Sequence, residues 1–142
     1  MKVVVDVNVI LSSLVKKGDS FEVFALNSLF NRFDFVAPEF LLVELEKHKE
    51  RIFTVSDLSR EIFETTLKMV IEQITLVSES EFSRYIPESK KLVSEHLKDI
   101  QYVALALKLN CPIFSGDKTL RGLIPDKVLN PKEMLSKIYS TE

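Results

Sequence analysis

Four carboxylates in this chain stand where a carboxylate needs a physical reason. Asp6 interrupts the valine run VVVDVNVI. Glu44 lies in PEFLLVELEKH beside Leu41 and Leu45, Asp99 opens DIQYVALALKL, and Asp117 follows CPIFSG. An ionised carboxylate taken out of water costs several kcal/mol unless a partner meets it. Hard divalent cations such as Mg²⁺ and Mn²⁺ select oxygen ligands, so a cluster of Asp and Glu is the side-chain set they require. Two such ions about 3.5–4 Å apart can activate a water and stabilise the leaving oxygen in phosphodiester cleavage. Each acid also has a plainer reading. Asp6 could hydrogen-bond a helix N-terminus, Glu44 could flank a buried face, Asp99 could be an N-cap, and Asp117 after Gly116 could be a turn residue. Taken together the plain readings are strained, because all four positions could point toward one edge of one sheet.

The elements that must position these acids follow from pattern. Lys2 to Val7 reads as a buried strand, valine-rich and too uniformly apolar to alternate. Lys16, Lys17 and Gly18 mark a turn, and Asp19 with Glu22 resembles a capping box for the helix that carries Phe21, Phe24, Ala25 and Leu29. Phe33 to Ala37 is a second strand, with Pro38 suited to the first turn of a helix over Glu39 to Phe53. Ser56 or Ser59 could cap a third helix with Phe63, Leu67, Val70, Ile71 and Ile74 as its stripe, before a brief strand at Thr75 to Val77. Two short helices broken at Pro87 fill Glu79 to Leu97. An apolar helix then runs from Asp99 to Asn110, followed by a CPIFS strand, a GDKTL turn into a short helix, a strand at Val128 and Leu129, and a helix from Pro131. Strands separated by helices predict α/β architecture around a parallel sheet, with right-handed crossovers and helices on both faces. In such sheets sites form beyond the carboxyl ends of the strands, where Asp6 and Asp117 fall.

At 142 residues, with 46% apolar and 28% charged residues, the chain fits one domain over residues 1–142. A formal net charge of −2 offers no basic stripe to announce a polyanionic partner in bulk. The single cysteine, Cys111, excludes an internal disulfide, fits a cytoplasmic setting and is most simply core. No signal-peptide pattern and no membrane-length apolar run is present. With glycines only at 18, 116 and 122, no nucleotide-binding loop can be drawn.

The combination resembles the PIN-domain nucleases over nearly the whole chain. The Asp-x-Asn after an apolar strand and the Ser-Gly-Asp-Lys turn are the most specific pieces, supported by PEFLLVELEKH, DIQYVALALKL and VLNPKEML. The resemblance implies a three-layer α/β/α sandwich and a metal-dependent ribonuclease whose family acids map to Asp6, Glu44, Asp99 and Asp117. It also implies kinship with VapC-like toxins of toxin–antitoxin pairs, and hence a small antitoxin partner and a homodimer. Within that frame Asp6 and Asp117 are expected as direct ligands of Mg²⁺ or Mn²⁺, Asp99 as a ligand directly or through water, and Glu44 as the group that orients water. Asn8 and Ser115 are expected to hydrogen-bond the carboxylates or touch phosphate. Lys118, Arg121, Lys16 and Lys17 are candidates for RNA backbone contacts, each also readable as a solvated cation. His48 could hydrogen-bond Glu44, and His96 reads as a surface residue. Many family members carry a further acid shortly before the third motif, where this chain has Glu95, His96 and Lys98, and another two residues after the last Asp, where it has Thr119. Both departures thin the ligands for a second ion, leaving one or two ions per site open. Two competing readings remain. A dehalogenase-like phosphatase would need an acid at the position of Asn8, and a non-catalytic PIN-like module would bind RNA or protein without cutting.

Overall fold

The computed structural model describes residues 1–94 and 96–140; Glu95, named above beside the family's additional acid, lies outside the described residues. Strand β1 (Lys2–Val5) leads directly into helices α1 (Val7–Val15) and α2 (Asp19–Phe30). Then come β2 (Asp34–Pro38), α3 (Phe40–Ser56), α4 (Arg60–Ile71) and β3 (Ile74–Val77). Two single 3-10 turns precede α5 (Ile86–Val93), and a third, Leu97–Asp99, precedes α6 (Ile100–Leu109). The chain ends through β4 (Ile113–Phe114), α7 (Lys118–Leu123), β5 (Val128–Leu129) and α8 (Pro131–Tyr139).

The five strands among the described residues form one parallel sheet in the order β3-β2-β1-β4-β5. Helices cover both faces, giving the three-layer α/β/α sandwich expected from the sequence. The chain winds outward from β1 to β3 and then returns to add β4 on the other side of β1. The strand order therefore reverses between β1 and β4, and open α/β sheets leave their crevice at such a point. Register places Val3 beside Phe35 and Val5 beside Phe114, so these side chains share a face. Phe24 of α2 meets Phe35 at 5.3 Å and Phe114 at 5.6 Å between ring centroids. On the opposite face α6 packs on β1, β2 and β4, its Ala104 and Ala106 fully buried. Burial of Val3, Val4 and Val5, all at 0% exposure, anchors the central strand at about 1.5–3 kcal/mol per side chain.

Several local expectations are corrected. The first strand stops at Val5 rather than Val7, and the nine residues after Asp6 form α1. Their β-branched content favours a strand, but Asp6 caps the helix, and Val7, Val9, Ile10, Ser13 and Leu14 are buried at helical spacing. Tertiary burial overrides a weak propensity of this kind. Gly18, not Asp19, is the N-cap of α2, with no side-chain capping bond. Pro38 closes β2 instead of opening α3, Pro87 lies in the first turn of α5 instead of breaking a helix, and Ile74 belongs to β3. The cap of α4 is Ser59, whose side chain accepts from Ile62 N–H.

Phe114 is fully buried between Phe24 and Phe35 on a strand only two residues long. Phe114→Ala should therefore cost about 3–5 kcal/mol, read as a lower urea midpoint with an unchanged slope. A change below about 1 kcal/mol would mean that this ring does not anchor β4.

Candidate active site

Asp6 is placed by the end of β1. Its backbone N–H donates to Phe114 O at 3.1 Å, so the residue is still tied to β4 as the chain turns into α1. The carboxylate then faces the crevice between the two strands, 4% exposed. Ser115 Oγ donates to Asp6 Oδ2 at 2.8 Å, and Asn8 Nδ2 donates to the same oxygen at 3.0 Å. Asn8 Nδ2 also reaches Ser115 Oγ at 3.1 Å, and Asn8 Oδ1 accepts from Gly116 N–H at 3.2 Å. Ser115 Oγ in turn accepts from Asp117 N–H at 3.1 Å. Asn8 and Ser115 thus bind the end of β1 to the loop after β4. The capping contact that Asp6 makes with Asn8 N–H is long, 3.5 Å. Helix capping alone does not account for burying this carboxylate.

Asp117 ends the same loop and caps α7, with Oδ1 accepting from Thr119 and Leu120 N–H at 2.8 and 3.1 Å. Asp99 is the N-cap residue of α6 but makes no side-chain capping bond, although it is buried. Glu44 comes from the buried side of α3, where Tyr102 Oη donates to its Oε1 at 2.5 Å. The four acids come from four separate segments and line one pocket of about 230 Å³, together with Asn8, His48, Arg51 and Lys98. Among the described residues no buried side-chain N or O atom lacks a partner. Among the described residues no donor reaches either oxygen of Asp99, Oε2 of Glu44 or Oδ2 of Asp117, so none of these atoms is fully buried.

Electrostatics follows from this crowding. Burial raises the Asp6 pKa to about 7, against the Ser115 hydrogen bond, with the charges of Asp99 and Glu44 adding to the rise. Burial also raises Asp99, followed by the charge of Asp117, while Lys98 and His96 act in the opposite sense. Tyr102 is pushed up by burial and by its bond to Glu44, so it remains a proton donor. As the side chains stand, no three His, Cys, Asp or Glu residues among those described are gathered tightly enough to hold a metal ion. The donor chemistry nevertheless fits a hard cation. The four acids offer oxygen ligands, the buried Asp99 carboxylate takes no donor among the described residues, and like charges face one another across a small pocket.

Other expectations divide. Lys118 and Lys16 do not line the acid pocket. They border an adjoining groove of about 480 Å³ with Lys132, Ser115 and Asp117. Arg121 borders it too but is held in two hydrogen bonds by Glu133, and Lys17 lies over the Phe21 ring. His48 pairs with Arg51 at 3.0 Å rather than with Glu44, and His96 does not line the pocket. Tyr102 and Arg51 were not singled out from sequence. The segment from Asp99 to Asn110 reads there as an apolar helix, yet a tyrosine among leucines and alanines signals a hydroxyl that must find a partner when buried. Cys111 is buried, as expected.

A family model described as a PIN domain matches residues 4–135. The fold is similar to a chain in the crystal structure of VapBC2 from Rickettsia felis bound to a DNA fragment from their promoter. The TM-score is 0.64 at 13% identity, covering 92% of this chain and 98% of that one. At that identity the likeness is one of fold. No curated protein matches the sequence.

The raised Asp6 value has a definite sign. Between about pH 4 and pH 7 the folded metal-free protein keeps a proton that the unfolded chain has released, so stability falls as pH rises through that window. Asp6→Asn removes this contribution, and its amide oxygen can still accept from Ser115 and Asn8 in the place of Oδ2. In EDTA the variant should match wild type near pH 4 and exceed it above pH 7 by on the order of 1–4 kcal/mol. Urea denaturation at both pH values checks this; a variant less stable at high pH would make Asp6 a structural cap.

Proposed function

The chain belongs to the PIN-domain family, and from that premise we propose that it is a metal-dependent endoribonuclease acting at the pocket of Asp6, Glu44, Asp99 and Asp117. The observation that carries this reading is the convergence of four carboxylates from four separate segments on one pocket at the reversal of strand order. A structural role would satisfy each acid locally, as Asp117 is satisfied at α7; it gives no reason to gather all four.

One or two Mg²⁺ or Mn²⁺ ions held there would activate water and neutralise charge on the phosphodiester. Asp6 and Asp117 would hold an ion from rigid strand-end positions, Asp99 directly or through water, and Glu44 through the oxygen that Tyr102 leaves open. Asn8 and Ser115 keep the Asp6 carboxylate oriented and block its rotation. Asn8 also argues against the phosphatase alternative, since its amide donates to Asp6 and carries no proton for a leaving group. Lys16, Lys118 and Lys132 in the adjoining groove, with Arg51 and Lys98 at the acid pocket, would meet the backbone of single-stranded or looped RNA. Their local arrangement supplies the positive surface that the net charge does not.

The resemblance to VapC-like toxins extends the proposal to a small antitoxin partner and a homodimer. Leu29 and Phe30 at the end of α2 and Leu42 and Val43 on α3 are exposed, apolar surface that a partner would cover. Light scattering at high micromolar concentration should give twice the 16.3 kDa chain mass; a monomer mass would remove the dimer.

Purified protein should cut natural RNAs in Mn²⁺ or Mg²⁺ and lose that activity in EDTA. Asp6→Asn and Asp117→Asn should each lower kcat/KM by roughly 10²–10³-fold. Lys118→Ala should leave kcat unchanged and reduce the salt slope of RNA binding by about 0.7. Absence of cleavage across several RNAs with either ion would decide for a binding module instead.

A further inference from the structure

The acid pocket has two halves. In one, Asn8 and Ser115 tie Asp6 to the loop that carries Asp117. The other half must hold Glu44 on α3 against Asp99 at the start of α6. Among the described residues the side-chain hydrogen bond that links these two helices there runs from Tyr102 Oη to Glu44 Oε1. Tyr102 lies nearly one turn beyond Asp99 on α6 and is 1% exposed. Its ring packs at 6.4 Å on Phe40, the first residue of α3, so packing and hydrogen bond clamp the same two helices. A phenylalanine would keep the same ring against Phe40. What tyrosine adds is a donor aimed at one acid of the cluster.

The geometry points to Tyr102 as a positioning residue for the cation site, an assignment that rests on the nuclease reading above. Its hydroxyl occupies Oε1 of Glu44, leaves Oε2 to the pocket, and sets α3 against α6 so that Glu44 and Asp99 present their free oxygens together. Tyr102 touches neither ion nor substrate; it acts through Glu44. Hydrogen-bond partners of this outer kind typically change metal affinity about 10–100-fold when removed.

The test is Tyr102→Phe in the full chain, compared with wild type by Mn²⁺ titration calorimetry, urea denaturation in EDTA, and steady-state RNA cleavage. The ring and its packing on Phe40 are kept, and one oxygen is lost. The Mn²⁺ dissociation constant should rise about 10–100-fold, with kcat lowered and the KM for RNA held. A Tyr102→Phe protein that binds Mn²⁺ as wild type does while melting earlier would make the tyrosine structural only and overturn the assignment. Folded wild-type protein that takes up no Mn²⁺ would instead overturn the metal-dependent reading and this one with it, an outcome distinct from equal binding by the two proteins.

Discussion

The hydrogen bond from Ser115 Oγ to the buried Asp6 carboxylate joins the two strands between which the sheet changes direction. A carboxylate at this depth is costly alone, and the network of Asn8, Ser115 and Asp6 makes it tolerable by giving one oxygen two donors. The same network fixes where β1 ends, where α1 begins, and how the loop after β4 is drawn back so that Asp117 can cap α7 beside it. Topology and chemistry meet here. Parallel strands need crossover helices, and the reversal of winding leaves no helix between the ends of β1 and β4.

Much of this fold is legible in the sequence because its elements are punctuated by local chemistry. Asn130 and Glu133 form a complete capping box at the start of α8, behind Pro131, and Asn110 closes α6 in the left-handed conformation expected of a C-terminal asparagine. Helix α1 is the instructive failure. In VNVILSSLV a buried helix and a buried strand share one composition, and periodicity cannot separate them over nine residues. Only the surrounding layers, which bury the segment on several sides, make the helix the better solution. Prolines misled in the same way. Pro38 and Pro87 each announce a boundary, but which side of it they occupy depends on neighbours that pattern does not reveal.

The site was legible for a different reason. Acids stand out when their neighbours are apolar, so Asp6, Glu44, Asp99 and Asp117 could be picked out one by one, and their shared pocket depends on topology that the strand–helix alternation already implied. The groups that hold them were less visible. Tyr102 is hidden because its ring belongs to the core and only its hydroxyl to the pocket. A cation in a sequence carries no sign of its partner; in the folded chain Glu133 pairs with Arg121 and the Phe21 ring lies under Lys17.

The strands on either side of the crevice differ in length, and this divides the pocket mechanically. Strands β4 and β5 have two residues each, whereas β1 and β2 have four and five. Short ladders open at lower free energy than the body of a sheet. With fewer ladder bonds behind it, the Asp117 side of the pocket is the side on which a local opening would cost less than on the side of Asp6 and Glu44. Sub-global opening of the β4–β5 edge would separate Asp117 from the other three acids while the rest of the chain stayed folded. Relief of like-charge repulsion favours that opening in the bare protein, and anything that bridges the carboxylates opposes it. Amide-proton exchange in this edge would thereby report on the occupancy of a pocket formed mainly by the other half of the molecule.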